Sequence, residues 1–393
     1  MMIFLQKGRG SRNRQGHPWV YRTEIATVEG NPQPGDIVEV YDWRGKFLGR
    51  GYYNPASMIT VRLLTSSREE PIDADFFRER VRQAWSLREK LLAGEPESDS
   101  CRVIFGEADF LPGFIADKFG DVLVVQSLTL GIDRWQEIIV DELIRLVKPR
   151  AVYARNDQEV RQLEGLPLYS RFLFGEANSP VVIRENGFPF LVDFVEGQKT
   201  GHFLDQRHNR AALRPFASGA RVLDCFCHTG GFSVHAARYG AKEVTAVDIS
   251  PHALTVAREN ARLNGVEERL HLVEANAFDF LREQDKKGEK YDLVILDPPA
   301  FTKSRSTVAA AARGYKEINL RAMRILKRGG YLVTCSCSYH MTEPEFLAVV
   351  EDAARDAKRR LQLIELRRQP QDHPVLIGYP ESHYLKCFIF RVL

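Results

Sequence analysis

Four apolar runs dominate the second half of the chain, and each ends in an acid, a glycine or a polar turn. Val222-Leu223-Asp224-Cys225-Phe226 leads into Gly230-Gly231-Phe232, and Val244-Thr245-Ala246-Val247-Asp248 follows at the spacing of strand, turn, helix and second strand. Tyr291 to Leu296 is a third run, stopped by Asp297-Pro298-Pro299, where two residues without an N–H cannot extend a ladder. Gly329-Gly330 reads as a helix stop before the fourth run, Tyr331 to Ser336. Continuous rather than alternating runs predict strands buried on both faces, hence a parallel sheet covered by helices.

The first half is patterned differently. Stretches around Trp19 to Arg22, Gly35 to Val40, Gly49 to Pro55 and Ile59 to Leu64 are short, alternating and punctuated by glycine and proline, which predicts a small β barrel. Asp73 to Leu92 places Phe76, Phe77, Val81, Ala84, Trp85, Leu87 and Leu91 near a helical period, with Arg78, Arg80, Arg82 and Arg88 on the polar side and Gly94-Glu95-Pro96 as the stop. Val103 to Ser127 alternates strand-like runs with turns at Pro112-Gly113 and Gly120-Asp121, and Trp135 to Val147 is an amphipathic helix. Val181 to Val195 carries a hairpin signature at Asn186-Gly187. The expected organisation is a barrel over 1–67, a central α+β domain over 68–178, and an α/β domain over 179–393 that opens with the hairpin.

The turn at Gly230-Gly231 selects among nucleotide-like cofactors. A dinucleotide site needs G-x-G-x-x-G so that backbone amides at a helix N-terminus reach a pyrophosphate, and that spacing is absent. S-adenosylmethionine carries no phosphate, so two adjacent small residues let the backbone approach it while an acid beyond the next strand accepts from the ribose hydroxyls. Gly230 and Gly231 fit the first role and Asp248 the second, and Asp224, Phe226 and Ile249 beside them are expected at the same cofactor. An ordinary turn with a solvated aspartate is the plain alternative.

Asp297-Pro298-Pro299 after such a turn resembles methyltransferases that act on nucleobases, where the carboxylate holds the edge of the target ring. Cysteine then suggests the reaction. C5 of a pyrimidine is too weak a nucleophile for a methyl sulfonium, but thiolate addition at C6 makes C5 carbanion-like, and loss of the C5 proton after methyl transfer restores the ring. Period 2 puts Cys335 and Cys337 on one side of a strand, so pattern alone does not choose between them. Burial as small hydrophobes is the other reading of both.

These residues together resemble the bacterial large-subunit rRNA cytosine-C5 methyltransferase family. The resemblance runs through Leu223-Asp224-Cys225-Phe226, Gly230-Gly231-Phe232, Val247-Asp248, Leu296-Asp297-Pro298-Pro299-Ala300-Phe301, Gly314-Tyr315-Lys316-Glu317-Ile318-Asn319 and Ser336-Cys337-Ser338. It includes Gly197-Gln198-Lys199-Thr200-Gly201 and Leu204-Asp205-Gln206-Arg207 before the fold, and Tyr379 to Lys386 near the end. It implies a class I, Rossmann-like, seven-stranded methyltransferase domain, with an amino-terminal barrel that resembles the PUA domain, an RNA-binding module.

The resemblance further implies Cys337 as nucleophile, Asp297 against the pyrimidine or cofactor, S-adenosyl-L-methionine as cofactor, and 23S rRNA as partner. Asn276 and Ala277 would edge the adenine, because Glu274-Ala275-Asn276-Ala277 lacks the acid common in the family, and Phe203 and Gln206 with Lys199 would line the mouth. Where related uracil-C5 enzymes carry a glutamate base, the closest register holds Lys386, which leaves Glu381, His383, Glu343, His340 or a water to take the C5 proton. The target base would be flipped out of its stack. Tyr315, Lys316 and Asn319 would either shape an RNA groove or pack against each other.

Composition adds local detail. Lys7, Arg9, Arg12, Arg14 and Arg22 precede any acidic residue, which suits a phosphate backbone even though the chain of 393 residues carries only +3 overall. RNA contact is therefore expected from Lys7, Arg9, Arg12, Arg14 and Lys199. The six cysteines form no secreted framework and fit a reducing cytoplasm. No signal peptide or long apolar run points to a membrane. Cys-x-Cys spacing along a strand does not suit a zinc knuckle, so no metal is expected. An amino-group nucleobase methyltransferase and a non-catalytic RNA-binding factor are the competing functions, and dimerisation is left open.

Overall fold

The structure, a computed structural model, describes residues 1–302 and 304–393. The chain divides into two compact units. The first comprises Met1–Arg184, Val192–Leu204 and Gln371–Ser382, and the second Glu185–Leu191, Asp205–Pro370 and His383–Leu393.

The first unit contains two sheets. Strands β1 (Met2–Leu5), β2 (Trp19–Tyr21), β3 (Ile25–Glu29), β4 (Ile37–Tyr41), β5 (Phe47–Tyr53) and β6 (Ile59–Thr65) pair in the order β2-β6-β5-β4-β1-β3. Ile3, Leu5, Val20, Val38, Val40, Leu48, Tyr53 and Val61 meet in one core, so β2 at one end and β1 near the other curl around the same side chains as the middle strands. Neither β1 nor β3 was foreseen, since each is short and β1 draws its register from a partner far along the chain.

Helix α1 (Ala74–Ala93) starts where the pattern places it, with Asp73 accepting from the Phe76 N–H at 3.0 Å. Phe76, Phe77, Val81 and Ala84 are buried, but two expectations fail. Leu87 is exposed, and Arg88 is fully buried rather than on the polar side. Arg88 sits inside because Asp109 receives it at 2.6 and 2.7 Å, with the carbonyls of Arg102 and Asp372 taking further N–H groups at 2.9 and 2.8 Å. Beside α1 lie β7 (Cys101–Phe105), β8 (Phe114–Phe119), β9 (Val122–Ser127), helix α2 (Gln136–Val147), β10 (Ala151–Asn156) and β11 (Tyr169–Gly175). They form a five-stranded sheet, β11-β10-β9-β8-β7, whose core also takes Tyr52 and Leu64 from the first sheet.

The hairpin of β12 (Val181–Glu185) and β13 (Phe188–Val192) turns at Asn186 and Gly187, with φ of 53° and 81°. Positive φ at both central residues is the tight turn that the Asn-Gly pair announces.

The second unit is a seven-stranded sheet. Its strands are β14 (Arg221–Cys225), β15 (Glu243–Asp248), β16 (Leu270–Glu274), β17 (Tyr291–Leu296), β18 (Leu326–Ser336), β19 (Leu361–Arg367) and β20 (Lys386–Val392). The order is β16-β15-β14-β17-β18-β20-β19, with only β20 antiparallel to its neighbours. Helices α3 (Gly231–Arg238), α4 (Pro251–Leu263), α5 (Ala277–Lys287), α6 (Val308–Ile325) and α7 (Glu343–Ala357) make the crossovers. The strand order reverses at β14, which places a ligand crevice at the carboxyl ends of β14, β15 and β17. One boundary differs from expectation. Helix α6 ends at Ile325, and Leu326 already pairs with Tyr291, so Gly329-Gly330 lies in a bulge within β18 instead of stopping the helix.

Candidate functional site

Three strands of the second unit deliver acids to the crevice. Asp224 stands near the end of β14, fully buried, with the Ser233 hydroxyl donating to Oδ2 at 2.6 Å and Oδ1 without a hydrogen-bond partner. Burial, with Asp297 and Asp248 nearby, pushes this carboxyl up to about 7. The chain then bends through Phe226, His228 and Gly230, all at positive φ (65°, 50° and 79°), before α3 begins. A Cβ at Gly230 would lie 3.1 Å from that of Ala257, and one at Gly231 only 2.6 Å from Nε of Arg210. The two glycines thus let α3 settle against α4 and the buried Arg210, which Glu185 holds at 2.8 Å.

Asp248 ends β15. Its oxygens accept from the backbone N–H groups of His228 at 2.8 Å and Ser250 at 2.9 Å, which fixes the carboxylate and leaves lone pairs for ribose hydroxyls. Ile249 beside it is 68% exposed. Asn276 caps α5 by accepting from the Phe278 N–H at 2.9 Å, while Ala277 is buried. Phe226, Phe278 and Phe301 form a ring cluster with centroids 5.7–6.4 Å apart, an apolar wall in which Phe278 had no sequence signal beyond hydrophobicity. The orphaned Asp224 oxygen, the fixed Asp248 and this apolar wall offer acceptors and a ring surface of the kinds that the amino group, ribose and adenine of S-adenosylmethionine would need.

Asp297 follows β17 and accepts from Nε2 of Gln206 at 2.8 Å, so Gln206 faces the acid. Strand β18 stops at Ser336, and Cys337 lies just past it, so the assumed strand alternation does not extend to that residue. The two thiols consequently differ. Cys335 is fully buried beside Cys387, and burial holds its thiol well above the usual range. Cys337 is half-buried, with Sγ 3.8 Å from the Pro298 carbonyl, and all five other cysteines are buried. Buried Tyr315 bonds the hydroxyls of Ser336 at 2.9 Å and Ser338 at 3.1 Å, bracketing Cys337.

Lys386, also buried, donates to the carbonyls of Ser338 at 2.7 Å and Tyr384 at 2.8 Å, and burial lowers its ammonium to about 8. Tyr315 and Asn319 are fully buried and Lys316 pairs with Asp352 and Asp356 at 2.6 and 2.8 Å, so these three are packing and helix-pairing residues rather than a groove. Glu343 is held by Arg368 at 3.1 Å.

Of the remaining expected residues, His340 and His383 belong to the second unit and the others to the first. There Lys199 places its ammonium 5.0 Å above the Phe203 ring, and Glu381 meets His17 at 3.2 Å. Arg12 and Arg14 are engaged by Glu24 at 2.7 Å and Asp42 at 2.8 Å, whereas Lys7 and Arg9 are exposed. Trp43, 44% exposed, lies under Lys7 at 5.7 Å and Arg44 at 4.6 Å, an aromatic between cations that charge counting missed. No group of side chains suited to a metal ion occurs among the described residues, and no described helix is long and apolar enough to cross a membrane.

Asp224 gives a pH test of the site. Its folded value lies above the unfolded one, so between about pH 4 and 7 the native state holds a proton that the unfolded chain lacks. Stability therefore falls as pH rises through that window. Asp224→Asn should raise stability at pH 8 by about 2–4 kcal/mol, a gain that shrinks toward pH 5, while weakening cofactor binding. Thermal unfolding without cofactor at both pH values checks it.

A sheet of this order, with an acid after each of its first strands and no dinucleotide turn, defines a class I S-adenosylmethionine-dependent methyltransferase. The family described as S-adenosylmethionine-dependent methyltransferase matches residues 166–391, and that described as a PUA-like domain matches residues 3–66. Proteins named Ribosomal RNA large subunit methyltransferase I from Erwinia tasmaniensis and Shewanella denitrificans are 44% and 43% identical over 393 residues, covering 100% and 99% of this chain and 99% of each relative. A SAM-dependent methyltransferase structure from Streptococcus mutans shares the fold with a TM-score of 0.86 at 22% identity, over the full length of both chains. The chain belongs to the ribosomal RNA large subunit methyltransferase I family, and its cofactor is S-adenosylmethionine.

Proposed function

We propose that this protein methylates C5 of a cytosine in 23S rRNA through a covalent adduct on Cys337. The observation that carries the reading is the position of that thiol: it alone among the six cysteines is not buried, and it adjoins Asp297-Pro298-Pro299 at the sheet edge. The names of the relatives support large-subunit rRNA as substrate.

In this reading Asp224, Phe226, Gly230, Gly231, Asp248, Ile249, Asn276 and Ala277 form the cofactor cradle, and Asp297 orients the flipped base. The Cys337 thiolate forms a bond to C6, and the electron pair of the C5–C6 double bond attacks the cofactor methyl. S-adenosylmethionine, when bound, would supply that methyl group and depart as the neutral thioether. A base then removes the C5 proton, and that electron pair rebuilds the double bond as the C6–S bond breaks. Lys386, bonded to the carbonyl next to Cys337, supplies positive charge that favours the thiolate. Glu343 and Glu381 are already paired, which leaves His340, His383 or a water as the base.

The sequence-based division of labour belongs to this proposal: residues 1–67 contact RNA, 68–178 position it and 179–393 carry the reaction. Trp43 between Lys7 and Arg44 supports RNA contact, since an exposed ring flanked by cations suits an unstacked base and its phosphates. The free thiols fit the cytoplasm.

The test is transfer of labelled methyl from S-adenosylmethionine to rRNA from cells lacking this gene, with the product digested to nucleosides. 5-Methylcytidine is the expected product. A methylated exocyclic amine would assign the amino-group class instead, and RNA binding without cofactor binding would assign the non-catalytic one.

A further inference from the structure

Asp297 ends a chain of side chains that runs through the interior of the catalytic unit to the far edge of its sheet. Gln206 donates from Nε2 to Asp297 at 2.8 Å, Asn209 donates from Nδ2 to Oε1 of Gln206 at 2.6 Å, and Arg367, the last residue of β19, donates from Nε to Oδ1 of Asn209 at 3.2 Å. Gln206 is 3% exposed and Asn209 not at all. Arg367 also donates to the His208 carbonyl at 3.2 Å, which locks its guanidinium against the turn that carries Asn209.

The direction of this chain is fixed by its ends. A guanidinium can only donate and a carboxylate can only accept, so each amide between them must turn its NH₂ toward Asp297 and its oxygen toward Arg367. Three donors thus point the same way, each polarising the next, in a buried setting where such bonds reinforce one another. Protonating Asp297 would weaken the bond that Gln206 donates to it, because a neutral carboxyl oxygen is a poorer acceptor than a carboxylate oxygen.

We propose that Gln206, Asn209 and Arg367 are positioning residues forming a one-way relay that keeps Asp297 ionised and oriented as an acceptor for the target base. The proposal rests on the reading that Asp297 meets the pyrimidine. Two further groups near Asp297 do not strengthen this bias: Asp224 from β14 is acidic, and Cys335 from β18 carries a thiol held protonated by burial. Glu365 shares Arg367 at 2.5 Å, so the relay delivers an oriented dipole more than a net charge.

Two variants test it in the full-length enzyme by kcat and KM across pH 5.5 to 9. Arg367→Met, at a partly exposed site, should lower kcat about tenfold, change KM for S-adenosylmethionine less than about twofold, and move the acidic limb of the profile upward by about one pH unit. Arg367→Lys should restore part of the loss. Gln206→Glu sets a second carboxyl against Asp297, so the pair must share a proton. That variant should work near pH 6 and fail by pH 8, opposite to the parent enzyme. Profiles that superimpose on the parent after scaling would overturn the relay, and if Gln206→Glu does not fold, the Arg367 variants decide alone. Asp297→Asn separates the two ideas: full activity there sinks the role given to Asp297, whereas lost activity with unshifted Arg367→Met profiles sinks the relay.

Discussion

Cys337→Ala should abolish methyl transfer, by about 10⁴-fold or more, while Cys335→Ala leaves the chemistry in place. The contrast follows from where β18 ends. Cys335 lies within the strand opposite Cys387, where burial keeps it a thiol and its sulfur fills space. Truncating it removes packing worth about 1 kcal/mol and nothing that reacts. Cys337 lies one residue past the strand, half-exposed, between two serines anchored on Tyr315. An RNA carrying 5-fluorocytidine at the target sharpens the comparison, because after addition and methyl transfer no C5 proton remains to leave. The adduct should accumulate on the parent enzyme and on Cys335→Ala but never on Cys337→Ala. Trapping at any other cysteine would reassign the nucleophile.

Asp109→Asn should cost the first unit about 3–5 kcal/mol, seen as a lowered calorimetric transition. Arg88 has no exposure, and Asp109 is the carboxylate that balances it, also accepting from the Phe105 N–H at 2.6 Å. Removing the charge of Asp109 leaves a buried guanidinium facing carbonyls alone. Arg88→Met with Asp109→Leu removes both charges together and should be less destabilised than either single variant, because the penalty lies in the unpaired ion. A double variant as unstable as the sum would mean that the carbonyl bonds of Arg88, not the pair, carry the stability.

Arg88 also marks where sequence reading stops. The helical period around it was legible, yet its neighbours gave no sign that Asp109 would pull it inward. The catalytic sheet was readable because β14 and β17 are buried on both faces and so write continuous apolar runs, and because Asp297-Pro298-Pro299 ends a strand by chemistry local to itself. The Asn186-Gly187 turn was readable for the same local reason. Motif residues could not reveal their partners: Gln206 was legible as a residue of the site but not as the donor to Asp297, and Arg367 looked like one of several basic residues. Such pairings depend on which distant segments meet, which no window of neighbouring residues encodes. The choice between Cys335 and Cys337 turned on a strand ending one residue earlier than alternation assumed.

The composition of the first unit has a consequence for synthesis. Its two sheets are encoded before residue 184, but it also includes Gln371–Ser382, whose Asp372 takes hydrogen bonds from Arg88 and the Arg102 N–H. At ribosomal speeds of about 5–20 residues per second, that last segment follows the rest by roughly 10–40 s. Throughout that interval the nascent amino-terminal half waits with a gap in its interior, and the first part of the enzyme to be translated is among the last to be finished.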